Sequence, residues 1–189
     1  MKSALLVIDM QNGFLCERSP LFIAGAPATV PACARLIARC RSAGVPVFFV
    51  TRSYRADGSD VELARREIWE KGGRPLSPGC AEEINAAMPP EFGCDPGDRH
   101  IVKPRYSAFF ATGLDLILRR LGVGRVLLAG TTTPNCIRTS CYDALSLDYE
   151  VTVLSDCCSS ATEEIQRSNL RDMAKAGARV LSSEELALP

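Results

Sequence analysis

Arg125-Val126-Leu127-Leu128-Ala129-Gly130-Thr131-Thr132-Thr133-Pro134-Asn135-Cys136 joins an unbroken apolar run to a polar turn and then to a segment of helical spacing. The run is too short for a typical globular helix and shows no polar alternation, so it reads as a strand covered on both faces. In the segment that follows, Pro134 to Asp148, Ile137, Cys141, Ala144 and Leu145 fall on one stripe, the pattern of an amphipathic helix. A strand handing over to a helix in this way is the repeating unit of parallel sheets. Cys136 then stands where that helix starts. There the positive end of the backbone dipole lowers a thiol's pKa and favours the thiolate, the form that attacks carbonyl carbon. A cysteine-nucleophile enzyme is the resulting expectation.

Five more runs have the same character: Ala4 to Asp9, Pro46 to Thr51, Arg99 to Val102, Tyr149 to Asp156 and Ala178 to Ser182. Helical spacing recurs at Val30 to Ala43, Thr112 to Leu121 and Thr162 to Ala176, and each segment is followed by a glycine (Gly44, Gly122, Gly177) where a C-terminal cap belongs. Six strands alternating with helices predict the α/β class: a single-domain, doubly wound (Rossmann-like) six-stranded parallel sheet with helices on both faces, spanning residues 1–189. A chain of this length buries roughly 70% of its unfolded surface. Arg52 to Pro96 is irregular, with Gly, Pro and charge clusters, and long connections of this kind cover sites or subunit contacts.

Composition narrows the function classes. Lysine plus arginine equal aspartate plus glutamate at 22 each, so the chain carries no electrostatic footprint for nucleic acid or an anionic membrane surface. No segment approaches the roughly 20 apolar residues of a membrane span, and a small molecule is the expected partner. Nine cysteines, an odd number without a C-x-x-C pair, and one histidine offer neither a zinc site nor a disulfide framework. No metal and no cofactor are therefore expected. The first apolar run is short and ends at Asp9, unlike a signal peptide, which points to a cytoplasmic location.

Ligands of open α/β sheets bind outside the carboxyl ends of the strands, and three reactive residues fall at such ends: Asp9, Lys103 and Cys136. Singly each is ordinary, because an Asp often caps a loop, a Lys is usually solvated and a Cys is usually a small core residue. Jointly they suggest one site.

Leu5-Leu6-Val7-Ile8-Asp9-Met10-Gln11-Asn12-Gly13-Phe14, Val102-Lys103-Pro104-Arg105-Tyr106-Ser107-Ala108-Phe109 and Gly130 to Cys136 with Asp143-Ala144 occur in that order. In these motifs the chain resembles the isochorismatase-like cysteine hydrolases, a family that includes nicotinamidases and N-carbamoyl amide hydrolases. The resemblance implies Asp9 as acid and base, Lys103 as the supporting cation and Cys136 as a nucleophile that forms a thioester. It also implies an oxyanion hole from the backbone N–H groups of Thr132 and Cys136, a cis peptide between Thr131 and Thr132, and a homo-oligomer, dimer or tetramer.

The match departs at the metal ligands. Nicotinamidases carry Asp-x-His after the second strand, where this chain has Thr51-Arg52-Ser53-Tyr54, and its one histidine, His100, lies inside a strand run. Isochorismatases that cleave a vinyl ether need no cysteine, so retention of Cys136 favours an amide, ureido or carbamoyl C–N bond. Arg52, with Arg55 and Arg105, raises a carboxylate-bearing substrate. Phe14, Trp69, Tyr106 and Phe109 are candidates for lining the pocket, with core packing the alternative for Phe14 and Phe109 and a subunit contact for Trp69. Isochorismatase-type or nicotinamidase activity is the nearer alternative function. A thiol redox protein using Cys136 with Cys141 or Cys157-Cys158 is the more distant one. A dinucleotide-binding module is disfavoured by the lack of G-x-G-x-x-G after the first run.

Overall fold

Alternate residues of the first strand divide between two apolar layers, Ala4, Leu6 and Ile8 on one side and Leu5 and Val7 on the other. This is why that run shows no polar position. The computed structural model describes residues 1–188. Its sheet has strands β1 (Lys2–Ile8), β2 (Val47–Thr51), β3 (Arg99–Val102), β4 (Val123–Thr131), β5 (Glu150–Ser159) and β6 (Arg179–Leu181). They are all parallel, in the order β3-β2-β1-β4-β5-β6. The doubly wound sheet predicted from the sequence is thus present, with its topological reversal between β1 and β4.

Helices α1 (Asn12–Leu15), α2 (Ala26–Ser42), α3 (Leu63–Lys71), α4 (Leu114–Arg120), α5 (Arg138–Ser146) and α6 (Glu163–Lys175) complete the chain. One layer buries Leu36, Ile37 and Cys40 of α2 against Leu5, Val7 and Phe49. The other buries Leu118 of α4, Cys141 and Ala144 of α5 and Met173 of α6 against Leu6, Ile8 and Val126. A third, smaller cluster of Phe14, Leu21, Tyr54, Val61, Trp69 and Leu76 sits under the irregular connection.

Three details differ from the sequence reading. Helix α2 starts before Val30 because Pro27 fits the first turn, where its missing N–H costs nothing. Helix α3 was hidden in the irregular stretch: Trp69 is its one buried residue, so it has no apolar stripe to read. The segment predicted as one helix from Pro134 begins as a π-helical turn, Thr133–Ile137, and turns α-helical only at Arg138. Among the described residues no helix is long and apolar enough to cross a membrane.

Candidate active site

Main-chain bonds lock the ends of four neighbouring strands together. Asp9 follows β1 at φ 54, a left-handed conformation that Asp tolerates better than most residues, and its N–H donates to the Val50 carbonyl at 2.8 Å. The Lys103 N–H donates to the Thr51 carbonyl at 2.9 Å. Buried Gln11 clamps the same rim: its Oε1 accepts from the Arg52 N–H at 2.8 Å, and its Nε2 donates to the carbonyls of Arg52 and Ala86, each at 2.9 Å. One residue from each strand end therefore faces the switch point: Asp9 after β1, Arg52 after β2, Lys103 after β3 and Cys136 after β4.

The turn that carries Cys136 is pinned by hydroxyls. Thr132 and Thr133 both donate to the Ser159 carbonyl, at 3.2 and 3.0 Å, and Ser159 Oγ donates to Thr131 Oγ1 at 3.0 Å. The Thr131–Thr132 peptide is cis. Ser140 Oγ donates to the Cys136 carbonyl at 2.6 Å and accepts from the Ala108 N–H at 2.9 Å, tying the lysine segment to the nucleophile turn.

Lys103 Nζ lies 2.7 Å from Asp9 Oδ2 and donates to Cys136 Sγ at 3.5 Å and to the Arg105 carbonyl at 3.1 Å. The Asp9 and Lys103 side chains are wholly shielded from solvent, and Cys136 is 3% exposed. Neither Asp9 oxygen receives a well-directed hydrogen bond among the described residues. Burial pushes the Cys136 thiol up; Asp9 pushes the same way, while Lys103 and Arg52 pull it down without prevailing. This corrects the expectation of a lowered thiol pKa. Burial therefore opposes the thiolate, and a base beside the sulfur helps to form it.

Behind Asp9 lies a further layer. Arg52 is completely buried, its Nε 3.8 Å from Asp9 Oδ2, and its Nη1 bonds Glu62 and, at 2.9 Å, the Tyr54 hydroxyl. That hydroxyl donates to Glu62 Oε2 at 2.7 Å. Burial opposes the charge on Glu62, yet Arg52 and Tyr54 hold its carboxyl below the ordinary value. Sequence reading missed Glu62 and Tyr54.

The remaining candidates separate. Trp69 is 1% exposed, donates its indole N–H to the Pro75 carbonyl at 2.8 Å and meets Tyr54 edge-on at 6.0 Å, so it is a core anchor and neither lines a pocket nor protrudes toward a partner. Phe14 packs in the same small cluster, and Phe109 packs in the main core beside Tyr149. Tyr106 is half-buried, with the Arg52 guanidinium 5.4 Å and the Arg65 guanidinium 5.1 Å from its ring centre. Arg105 Nη1 donates to the carbonyls of Asp60 and Pro104, at 3.0 and 2.6 Å. Arg55 is exposed, and the His100 ring stacks on Phe49.

Fold and rim together define a doubly wound α/β protein with an acid, an ammonium and a thiol gathered at the switch point. The chain belongs to the isochorismatase family: the isochorismatase domain matches residues 3–185. It is 41% identical, over 98% of its length and 96% of the other, to an Arabidopsis thaliana protein described as a probable inactive nicotinamidase. It is 32% identical to the maleamate amidohydrolase of Pseudomonas putida, over 91% of this chain and 79% of that one. The crystal structure of an isochorismatase family protein from Desulfovibrio vulgaris superposes with a TM-score of 0.89 at 39% identity, covering 97% of this chain and 95% of the other. The protein is thus a member of an isochorismatase-like hydrolase family that includes amidohydrolases.

Proposed function

We propose that the protein hydrolyses a C–N bond of a small amide, ureido or carbamoyl compound through a thioester on Cys136. The observation that supports this best is the contact of Lys103 Nζ with both Asp9 and Cys136 Sγ in one buried cluster. In this reading the thiol, kept protonated by burial, passes its proton to Asp9 as sulfur attacks the carbonyl carbon. Lys103 sits against both atoms and compensates the negative charge as it moves from carboxylate to sulfur. Backbone N–H groups of Thr132 and Cys136 hold the oxyanion, each donor worth about 3 kcal/mol in the transition state. Asp9 returns the proton to the departing amine, draws one from the water that hydrolyses the thioester, and gives it to the sulfur as the acid product leaves. Every proton and charge in the scheme comes from the chain, the substrate and water.

The substrate we infer carries a carboxylate. Arg65 is half-buried against Tyr106 and forms no ion pair among the described residues, and Arg105 bonds carbonyl groups alone. Two guanidinium groups with no ion pair among the described residues, beside a reactive cluster, suit an anionic ligand. The likeness to a maleamate amidohydrolase, whose substrate is an acid amide, agrees with this. A panel of maleamate, ureido acids, carbamoyl amino acids, nicotinamide and isochorismate, read by ammonia or product release, tests both parts. Acid amides are expected to exceed neutral amides in kcat/KM by at least about tenfold, the equivalent of about 1.4 kcal/mol. Arg65→Gln should erase most of that margin through KM. An acyl adduct on Cys136 should appear in the mass spectrum of an acid-quenched reaction. Turnover without any such adduct would reject the thioester.

A further inference from the structure

We propose that Arg52 and Glu62 form a charge balance behind Asp9 that sets the pH at which Cys136 becomes reactive, an inference that rests on the hydrolase reading above. The Arg52 guanidinium spans two carboxylates. Its Nε faces Asp9 Oδ2 at 3.8 Å, while its Nη1 is held by Glu62 and by Tyr54 Oη at 2.9 Å. Its side chain is fully buried, and among the described residues Nε and Nη2 have no hydrogen-bond partner. At 3.8 Å the guanidinium is too far from Asp9 for a hydrogen bond, so it acts through its field, which is strong where water is excluded.

The groups facing this cluster are Asp9, Glu62, Lys103, Arg52, Cys136, Tyr54, Tyr106 and Arg65. In the buried centre Asp9 and Glu62 balance Lys103 and Arg52, with half-buried Arg65 at the edge, a state that accommodates a neutral thiol. When the thiol loses its proton to solvent, as in alkylation by an outside reagent, one negative charge is added there, and positive charge on the Asp9 side favours it. Arg52 supplies that positive charge to the extent that Glu62 does not neutralise it. The two residues therefore act in opposite directions on the same sulfur, and neither touches the reacting atoms. Arg52 and Glu62 are positioning residues, and for Arg52 this replaces the substrate clamp expected from the sequence. Tyr54 fixes the spacing, because its hydroxyl accepts from Arg52 and donates to Glu62.

The experiment is the pH dependence of Cys136 alkylation by iodoacetamide, followed by peptide mass mapping so that the other eight cysteines do not contribute. Arg52→Gln is expected to raise the midpoint by about one pH unit and Glu62→Gln to lower it by about one, the scale of a single nearby charge. Glu62→Gln/Arg52→Gln, which removes both charges, should return it to within about 0.3 unit of wild type. Shifts in the same direction, or unmoved midpoints in variants that keep the wild-type circular dichroism spectrum, overturn the proposal. A purely structural role would slow turnover in both variants without opposite shifts. Should Glu62→Gln not fold, Arg52→Gln and Arg52→Lys decide, since the first must shift the midpoint and the charge-preserving second must not. A Cys136 unlabelled at every pH removes the hydrolase reading itself, whereas a labelled Cys136 with a fixed midpoint removes only the charge balance.

Discussion

Cys136→Ala is expected to lower kcat on any accepted substrate by at least about 10⁴-fold, leaving release at background, because loss of a covalent nucleophile typically costs 10⁴ to 10⁶. In the proposed mechanism the sulfur carries the acyl group. Asp9 and Lys103 are paired with each other, and the hydroxyls of Thr132 and Thr133 are committed to the Ser159 carbonyl. The same substitution should cost little stability. It deletes one atom from a site that already borders the charged pair, and Asp9, Lys103 and Arg52 keep their mutual ion pairs. Activity and fold are therefore separable in this variant. Steady-state assay beside a urea melt checks both, and residual turnover above about 1% of wild type in a folded sample would remove sulfur from the mechanism.

Gly130→Ala carries the largest expected loss of stability. Gly130 pairs with Ile8 across the switch point and has φ +119, where an L residue is strained. A Cβ at that position would lie 2.7 Å from Ile8 N and 2.9 Å from Ile8 C, and still nearer Ile8 O. Backbone cannot swing aside as a side chain does, so β1 and β4 must part, and roughly 4 kcal/mol or more is the expected cost. Gly177 is the control. Its φ is +114 but nothing lies within 4 Å of an added Cβ, so Gly177→Ala should cost about 1 to 2 kcal/mol from conformation alone. Urea midpoints of the two variants compare them directly; equal losses would mean that close approach at the switch point is not what demands glycine. Separation at Ile8 would also displace Asp9, so Gly130→Ala is expected to lose activity in any folded fraction.

Strand positions were legible because a parallel sheet buries both faces, which writes each strand as a continuous apolar run. Helices α4 and α6 were legible through their stripes and terminal glycines, and the Thr162 hydroxyl does cap α6, accepting from the Ile165 N–H at 3.2 Å. Helix α3 was not, since Trp69 alone anchors it. Trp69 was misread, and Phe14 was left between pocket and core, for a related reason: an aromatic side chain lines a pocket or fills a core according to what packs over it, and that is supplied by Tyr54, Val61 and Leu76 from elsewhere in the chain.

By itself the sequence determined the alternation of strands and helices, the strand ends at which Asp9, Lys103 and Cys136 stand, and membership of a hydrolase family, because periodicity and short motifs are local properties of the chain. Only the tertiary structure decided that burial pushes the Cys136 thiol up and that Arg52 turns inward to Glu62 and Asp9. Desolvation and charge interaction depend on distances across space, and the residues that set them here come from four strand ends and an irregular connection that meet only in the folded protein.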